Sequence, residues 1–468
     1  MTSLSEELAA FCCGFDARTL RLEVIDRLKS AVLDGIASML AGVREPVAAQ
    51  VVAAAWAAAG GSTGDCTVVG FNWRAPLSTA ALVNGTIAHA CDYDDSGWTM
   101  WGHPTAPLLP ALLACAESRE CPGLDLLAAF AAGLEVEKAF GLLMQPEHYR
   151  RGWHPTATLG LFGAVAGAGR LLGLSAFELQ AAFGIAASMS AGLRSNAGYG
   201  AKPLHTGLAA RNGVEAALLA QAGMSANPLA LEGPGGVMAL YGTSGDLTIE
   251  DAIGRLGQPF EIVEPGLSPK LYPCCSDIHC AIDIVFDEMA AQGFSAGDVE
   301  AVRCFVAPMA EPNVRRRDPQ TATEAKFSMS YCLACALVHG RVGLAQFTAD
   351  ALRDETVRAV ASCISVAGDP ALAADGGETF SSPASVEIDL RDGRRLRTFL
   401  REMRGHPDRP LSPTELVRKF MECAGTVMMA GEARALYAQI GRIETLPSLA
   451  DLMRRLGGPA RPRLTEAV

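Results

Sequence analysis

Eight histidines occur in 468 residues, and several fall beside Pro, Gly, Lys or Asp in polar gaps between apolar stretches. Four gaps stand out. The first is Asn84-Gly-Thr-Ile-Ala-His89-Ala-Cys-Asp92-Tyr-Asp94-Asp95-Ser96, followed by Gly102-His103-Pro104. If a helix from Ser78 runs on, Asn84, Ala88, Asp92 and Asp95 share one face and deliver carboxylates to one spot; solvated acids at a helix end are the plainer reading. His89, Asp92, Asp94, Asp95 and His103 are also oxygen and nitrogen ligands of the kind a metal-dependent hydrolase uses. The second gap is Gly152-Trp153-His154-Pro155-Thr156 with Tyr149 just before it, and the third is Gly200-Ala-Lys202-Pro203-Leu-His205-Thr-Gly207. Lys202 precedes a proline, so it is expected as the last extended residue before a new helix. A cation there opposes the helix dipole, and apolar neighbours would disfavour its ammonium form. It is a candidate base or anion contact, or an ordinary surface lysine. The fourth gap is Lys270-Leu-Tyr272-Pro-Cys274-Cys275-Ser-Asp-Ile-His279, whose adjacent thiols read as structural more readily than as nucleophiles.

The elements that must position these residues are mostly helices. Ser3-x-x-Glu6 reads as a capping box opening a helix closed by Gly14, and Leu22 to Ala41 has apolar residues at three- and four-residue spacing. Pro46 to Ala59, Ser78 to Ala90, Pro107 to Ala116 and Leu124 to Leu142 are rich in Ala and Leu, strong helix formers. Ser175-x-x-Glu178 opens another helix, and His205 to Ala222 forms a further one. Helices with so little polar face must be surrounded by other helices. Composition changes after Pro265: Val302 to Val306 and Val386 to Leu390 read as strands, the latter leading into an Asp392-Gly393 hairpin turn. Ser412-x-x-Glu415 then caps a helix through Cys423, and Leu449 to Leu456 forms another. The fold class is mainly α, with a helical domain over 1–265, a smaller α+β domain over 266–405, and helices over 406–468 that return to the first.

Composition narrows the function. A net charge of −12 argues against a broad nucleic-acid surface, which draws its strength from Lys and Arg. No apolar run reaches the ~18 residues of a membrane span, and the acidic N-terminus lacks the bases of an export signal, so a soluble, cytoplasmic protein is expected. The fourteen cysteines sit in apolar contexts, and most read as buried thiols in a reducing compartment; Cys332-Leu-Ala-Cys335 has metal or redox spacing but no partner pair. Arg315-Arg316-Arg317 reads as a solvated loop. No Gly-x-Gly-x-x-Gly and no Walker loop is evident, so no cofactor and no metal is expected.

Taken in order, Val83-Asn84-Gly85 with His89 and Asp92-Tyr-Asp94-Asp95, Gly102-His103-Pro104, Gly152-Trp153-His154-Pro155-Thr156, Lys202-Pro203-Leu-His205-Thr-Gly207, Ala209-Ala210-Arg211-Asn212-Gly213, Tyr272-Pro273-Cys274-Cys275 and Lys326-Phe327-Ser328 resemble the MmgE/PrpD family. That family includes 2-methylcitrate dehydratase, cis-aconitate decarboxylase and iminodisuccinate epimerase. The resemblance implies a large all-helical domain built from both chain ends, a smaller α+β domain closing over a cleft, and a homodimer. It implies a small anionic carboxylate as substrate and chemistry through a carbanion or enolate beside a carboxylate, with a base within reach and cations to neutralise the developing charge. Carried over by motif, the catalytic positions are Asp92, His103, His154, Lys202 and His279, joined by Tyr149 as a second acid or base. Lys202 or His154 is expected as the base, with Asp92 orienting a histidine. Ser96, Asp95, Lys270 and His205 are expected to contact the substrate. Ser96, together with the longer insert before His103, resembles the epimerase form slightly more than the dehydratase or decarboxylase. The competing classes are the metal-dependent hydrolase and a non-catalytic helical scaffold.

Overall fold

A computed structural model describes residues 3–373 and 382–458. The Ala- and Leu-rich segments form helices Leu22–Gly42, Pro46–Ala58, Leu77–Ala88, Thr105–Ser118, Gly123–Met144, Ala176–Ala187 and Ala201–Gln221. Gly123–Met144 is buried along nearly its whole length. Such a helix has no water-facing stripe and is stable only inside a shell of others. The capping box at Ser175 forms, but the one expected at Ser3 does not: the Ser3 hydroxyl turns to the Pro228 carbonyl, and Glu232 accepts from the Leu4 amide instead. No single helix among the described residues is long and apolar enough to cross a membrane.

Past residue 265 the chain builds a four-stranded sheet in the order Ile364–Gly368, Val299–Val306, Ala384–Leu390, Arg395–Leu400. The first pair is parallel and the other two are antiparallel. One face packs Val302, Cys304, Val306, Val386 and Ile388 into a buried cluster with the helices Ser276–Gln292 and Met329–His339. The other face is a charge ladder, with Arg303 reaching Glu387 at 2.9 Å and Asp389 at 2.8 Å. Both strands begin two or three residues earlier than predicted, and the turn at Gly393 takes φ +90° as expected of Asp-Gly.

The buried apolar residues form two clusters. One gathers the helices before residue 263 together with Phe420, Leu436, Leu452 and Leu456 from the last three helices; the other holds the sheet and its helices. A two-residue pairing joins them across the boundary: Ser96–Gly97 pairs with Leu267–Ser268, and Trp98 donates from Nε1 to the Ser268 hydroxyl at 2.7 Å. The first 265 residues are therefore helical except for short pairings such as this one and Cys66–Thr67 with Arg74–Ala75.

Candidate active site

Two glycines bring the polar gaps together. A Cβ on Gly85 would lie 2.9 Å from the Gly207 Cα, and one on Gly207 would overlap the Leu82 carbonyl and the Thr86 hydroxyl. The helices Leu77–Ala88 and Ala201–Gln221 can therefore touch backbone to backbone only because neither position carries a side chain. The end of the first helix then lies beside the start of the second.

Both helix boundaries differ from expectation, and both differences matter. The first helix stops at Ala88, so Asp92 and Asp95 do not share a face with Asn84, which is spent on the Val69 amide and the Thr67 carbonyl. Instead the chain turns, and Asp92 takes φ +51°, a left-handed conformation uncommon outside glycine. The second helix begins at Ala201, so Lys202 sits in its first turn rather than before it. A lysine there opposes the helix dipole. It is held by the Asp92 carboxylate at 2.5 Å and by His89 Nε2 at 2.8 Å. Burial pushes the Asp92 carboxyl up, but the Lys202 and Lys270 ammoniums outweigh it and hold it well below the usual range.

The imidazoles follow the same network. His89 places Nδ1 2.8 and 2.9 Å from the two oxygens of the buried Asp94 carboxylate, which can only accept, so Nε2 is left to accept from Lys202. Burial pushes His89 down to about 4. His103 Nδ1 lies 2.9 Å from the Asp95 carbonyl and 3.2 Å from Asp94. His154 precedes the short helix Pro155–Thr158, and its Nδ1 lies 3.2 Å from His205 Nδ1. Burial, followed by the Lys202 charge, holds His154 well below the ordinary histidine value, so it is a neutral imidazole at pH 7.

Asp92, Ser96, His103, Tyr149, His154 and Lys202 line one cleft of about 80 Å³ at the seam between the two clusters. The other four predicted contacts stand off its surface. Asp95 accepts from the Thr105 hydroxyl at 2.6 Å, and burial pushes its carboxyl up to about 8. Lys270 is fully buried and grips Asp92 at 3.0 Å from beneath. His205 stands behind His154. His279, expected at the substrate, packs its ring against Tyr272 and lies 3.2 Å from the Cys274 carbonyl, because the helix Ser276–Gln292 turns that position inward. Cys274 is buried and Cys275 reaches the cleft. Cys332 and Cys335 are buried along one helix, where burial pushes both thiols up.

Sequence reasoning missed a second wall. Arg194, Asn313 and Asp277 also line the cleft. The Arg194 guanidinium lies 3.4 Å from the Tyr149 ring centre and donates to the Tyr149 carbonyl at 2.9 Å. Asn313 donates to the Tyr149 hydroxyl at 3.3 Å and to Asp277 at 2.9 Å. Burial, followed by the Asp277 charge, pushes the Tyr149 phenol up, so it stays protonated. The only signal for Arg194 was its place in one more polar gap between apolar helices. A larger groove of about 1490 Å³, which includes Arg317, holds none of the predicted site residues. Arg316 from the same basic run pairs with Glu324.

The five-residue metal set does not assemble, since Asp92 faces two lysines and Asp95 faces Thr105. His89, Asp94 and His103 do bring ligand atoms within 4.8 Å of one another. Yet His103 Nδ1 faces a carbonyl oxygen, which requires a proton on that nitrogen, so that atom has no lone pair for an ion.

A family model described as the MmgE/PrpD N-terminal domain matches residues 6–250, and one described as the MmgE/PrpD C-terminal domain matches residues 272–442. Cis-aconitate decarboxylase of Mus musculus is 27% identical over 478 residues, covering 98% of this chain and 94% of that protein. The Homo sapiens cis-aconitate decarboxylase is 27% identical over 477 residues, covering 99% and 96%. The 2-methylcitrate dehydratase of Escherichia coli is 23% identical over 346 residues, covering 69% and 70%.

Proposed function

We propose, from the premise that this chain belongs to the MmgE/PrpD family, that its cleft acts as a cofactor-independent lyase on a small di- or tricarboxylic acid. The names of its relatives, decarboxylases and a dehydratase, support bond cleavage beside a carboxylate. The observation that carries the reading is an ammonium pinned between Asp92 and His89, with His103 and His154 on the same cleft.

Cleavage next to a carboxylate leaves an electron pair on carbon, and charge spreads onto the carboxylate oxygens. A fixed cation in a water-poor cleft stabilises that charge more than water does, because it needs no reorganisation. Lys202, donating to Asp92 and His89, is built as this cation, with its remaining N–H available to the substrate. A neutral imidazole is the better base, which assigns proton abstraction to His154 and a donor role to the Tyr149 phenol, which stays protonated. In dehydration, His154 takes the proton, the pair forms the double bond, and the departing hydroxide takes a proton from the donor. In decarboxylation the carbon–carbon bond breaks, carbon dioxide leaves, and the pair is captured by a proton. Arg194, which also lines the cleft, is assigned to a second carboxylate.

Epimerisation is the second reading, supported by Tyr149 and Lys202 both lining the cleft. A phenol kept protonated donates well but removes a carbon-bound proton poorly, so the Tyr149 environment favours one-sided chemistry. A cytoplasmic, reducing compartment completes the proposal, supported by the free cysteines among the described residues, together with the homodimer that the family resemblance implies.

Incubating candidate acids in D2O separates these outcomes. Carbon dioxide release or an unsaturated acid supports the lyase. Deuterium wash-in with stereochemical inversion and no elimination replaces it with the epimerase. Lys202→Met is expected to abolish all of them; full retained turnover removes Lys202 from the mechanism.

A further inference from the structure

The turn that carries His89 and Asp92 leaves the end of a helix, where backbone carbonyls lose their intrahelical partners, and it does so in the protein interior. Buried carbonyls must find donors elsewhere. Three of them find lysines. The Ala90 carbonyl accepts from Lys326 Nζ at 3.1 Å, the Asp92 carbonyl from Lys270 Nζ at 3.0 Å, and the Tyr93 carbonyl from Lys419 Nζ at 2.7 Å. The three lysines are 1%, 0% and 3% exposed, and they come from three separate segments of the second half of the chain.

We infer that Lys326 and Lys419 are positioning residues which, with Lys270, clamp the backbone of the 88–96 turn so that Asp92 and His89 meet Lys202 in register. Each ammonium lies beside a carboxyl group: Lys326 beside Glu45 at 2.9 Å, Lys270 beside Asp92 at 3.0 Å, Lys419 beside Asp34 at 2.5 Å. Lys419 also lies 4.3 Å from the Tyr93 ring centre, and the Tyr93 hydroxyl donates to the Leu271 carbonyl at 3.2 Å. Buried ion pairs of this kind are poor sources of stability compared with apolar side chains of the same volume, which points to geometry as what they contribute here. What they fix is unusual: Asp92 sits at positive φ, a conformation that persists only where its surroundings over-determine it. Lys326 precedes the helix Met329–His339 beside the sheet, and Lys419 lies on the helix Pro413–Ala424. The turn therefore reaches its working shape only when both of those elements have docked.

Lys138 provides the control, because it is another buried lysine capping carbonyls, those of Arg255 and Pro259 at 2.8 and 2.7 Å, away from the turn. Hydrogen exchange read by mass spectrometry on peptides spanning 88–96 is compared in Lys326→Met, Lys419→Met and Lys138→Met. Amides of the turn are expected to exchange at least about tenfold faster in the first two and to stay unchanged in the third. Turnover per folded molecule is expected to fall at least about tenfold in the first two only. If a single variant fails to fold, the pair is removed instead, as Lys326→Met with Glu45→Leu or Lys419→Met with Asp34→Leu, which leaves no unpaired charge. Exchange within about twofold of the unsubstituted protein in these variants, or equal loosening in Lys138→Met, overturns the clamp. The turnover arm rests on the functional reading above and the exchange arm does not. A turn that loosens in a protein with no carboxylic-acid turnover at all sinks that reading and leaves the clamp standing.

Discussion

Lys202 Nζ and Asp92 Oδ1 lie 2.5 Å apart across 110 residues of chain, and the same carboxylate holds Lys270 with its other oxygen. One acid thus faces two ammoniums in a buried site, leaving one net positive charge there. Asp92→Asn keeps the shape and removes the charge, leaving two cations facing each other. Breaking a buried pair from one side costs about 3–5 kcal/mol. The expected outcome is a large drop in melting temperature together with turnover reduced about a hundredfold or more, since Lys202 loses the partner that aims it. Calorimetry and the wash-in assay check the two parts separately. A stable, active Asn variant removes Asp92 from the charge balance.

Arg194 is the one arginine in the cleft lining, and no ion-pair partner for it occurs among the described residues. Its guanidinium lies 3.4 Å from the Tyr149 ring centre and is fixed by the Tyr149 carbonyl and by Asn313 Oδ1 at 3.4 Å. If it binds a second carboxylate remote from the reacting carbon, Arg194→Met raises KM about ten- to a hundredfold while kcat falls much less, the signature of lost uniform binding. Arg194→Lys restores charge but not bidentate geometry and recovers only part of the loss. An unchanged KM for every dicarboxylate tested removes this residue from substrate binding.

How far these residues could be read from the sequence depends on the kind of information each carries. Helix existence was legible because Ala-Leu runs and caps are local, as at Ser175. The end of the helix at Ala88 was not, since nothing local stops it and the turn is held by lysines 178, 236 and 326 residues away. Lys202, His103 and His154 stood out because cationic side chains in polar gaps between apolar helices are unusual. His279 met the same description, yet the inward rotation of its helix takes it off the cleft. Asp95 and Asp94 look alike in the sequence. Only packing decides that one pairs with His89 while burial holds the other as an acid against the pull of its Thr105 hydrogen bonds.

The contact at Gly207 gives a test of how the site is assembled. A methyl there meets the Leu82 carbonyl and Thr86, which are backbone and a short side chain and cannot swing aside. Gly207→Ala forces the two helices apart, at about 1–3 kcal/mol for overpacking. That separation acts on the Lys202–Asp92 distance, so activity is expected to fall more than the melting temperature implies, when compared with a helix-surface variant of equal stability loss. Equal losses in both would mean that the close approach serves packing alone.

The interior of this protein titrates in two opposite senses, which shapes its stability against pH. His89, His148 and His205 are pushed by burial to about 4, below the ordinary 6.5, so the folded state binds fewer protons than the unfolded one between those values. Their contribution is present above pH 6.5 and is lost as pH falls toward 4. Asp95 and Glu261 are pushed by burial up to about 8 from 3.8 and 4.5, so the folded state there binds more protons. Their contribution is present at low pH and is lost as pH rises through 8. Between about 4.5 and 6.5 the two slopes oppose each other, and above 6.5 only the carboxyls act, each costing roughly 1.4 kcal/mol per pH unit until it ionises. Melting temperature is therefore expected to be level near pH 5–6.5 and to fall between pH 6.5 and 8.5. Glu261→Gln, which cannot ionise, is expected to match the unsubstituted protein near pH 6 and to flatten the alkaline fall. A melting temperature that holds constant up to pH 8.5 in the unsubstituted protein would mean that these carboxyls are already ionised in the folded interior.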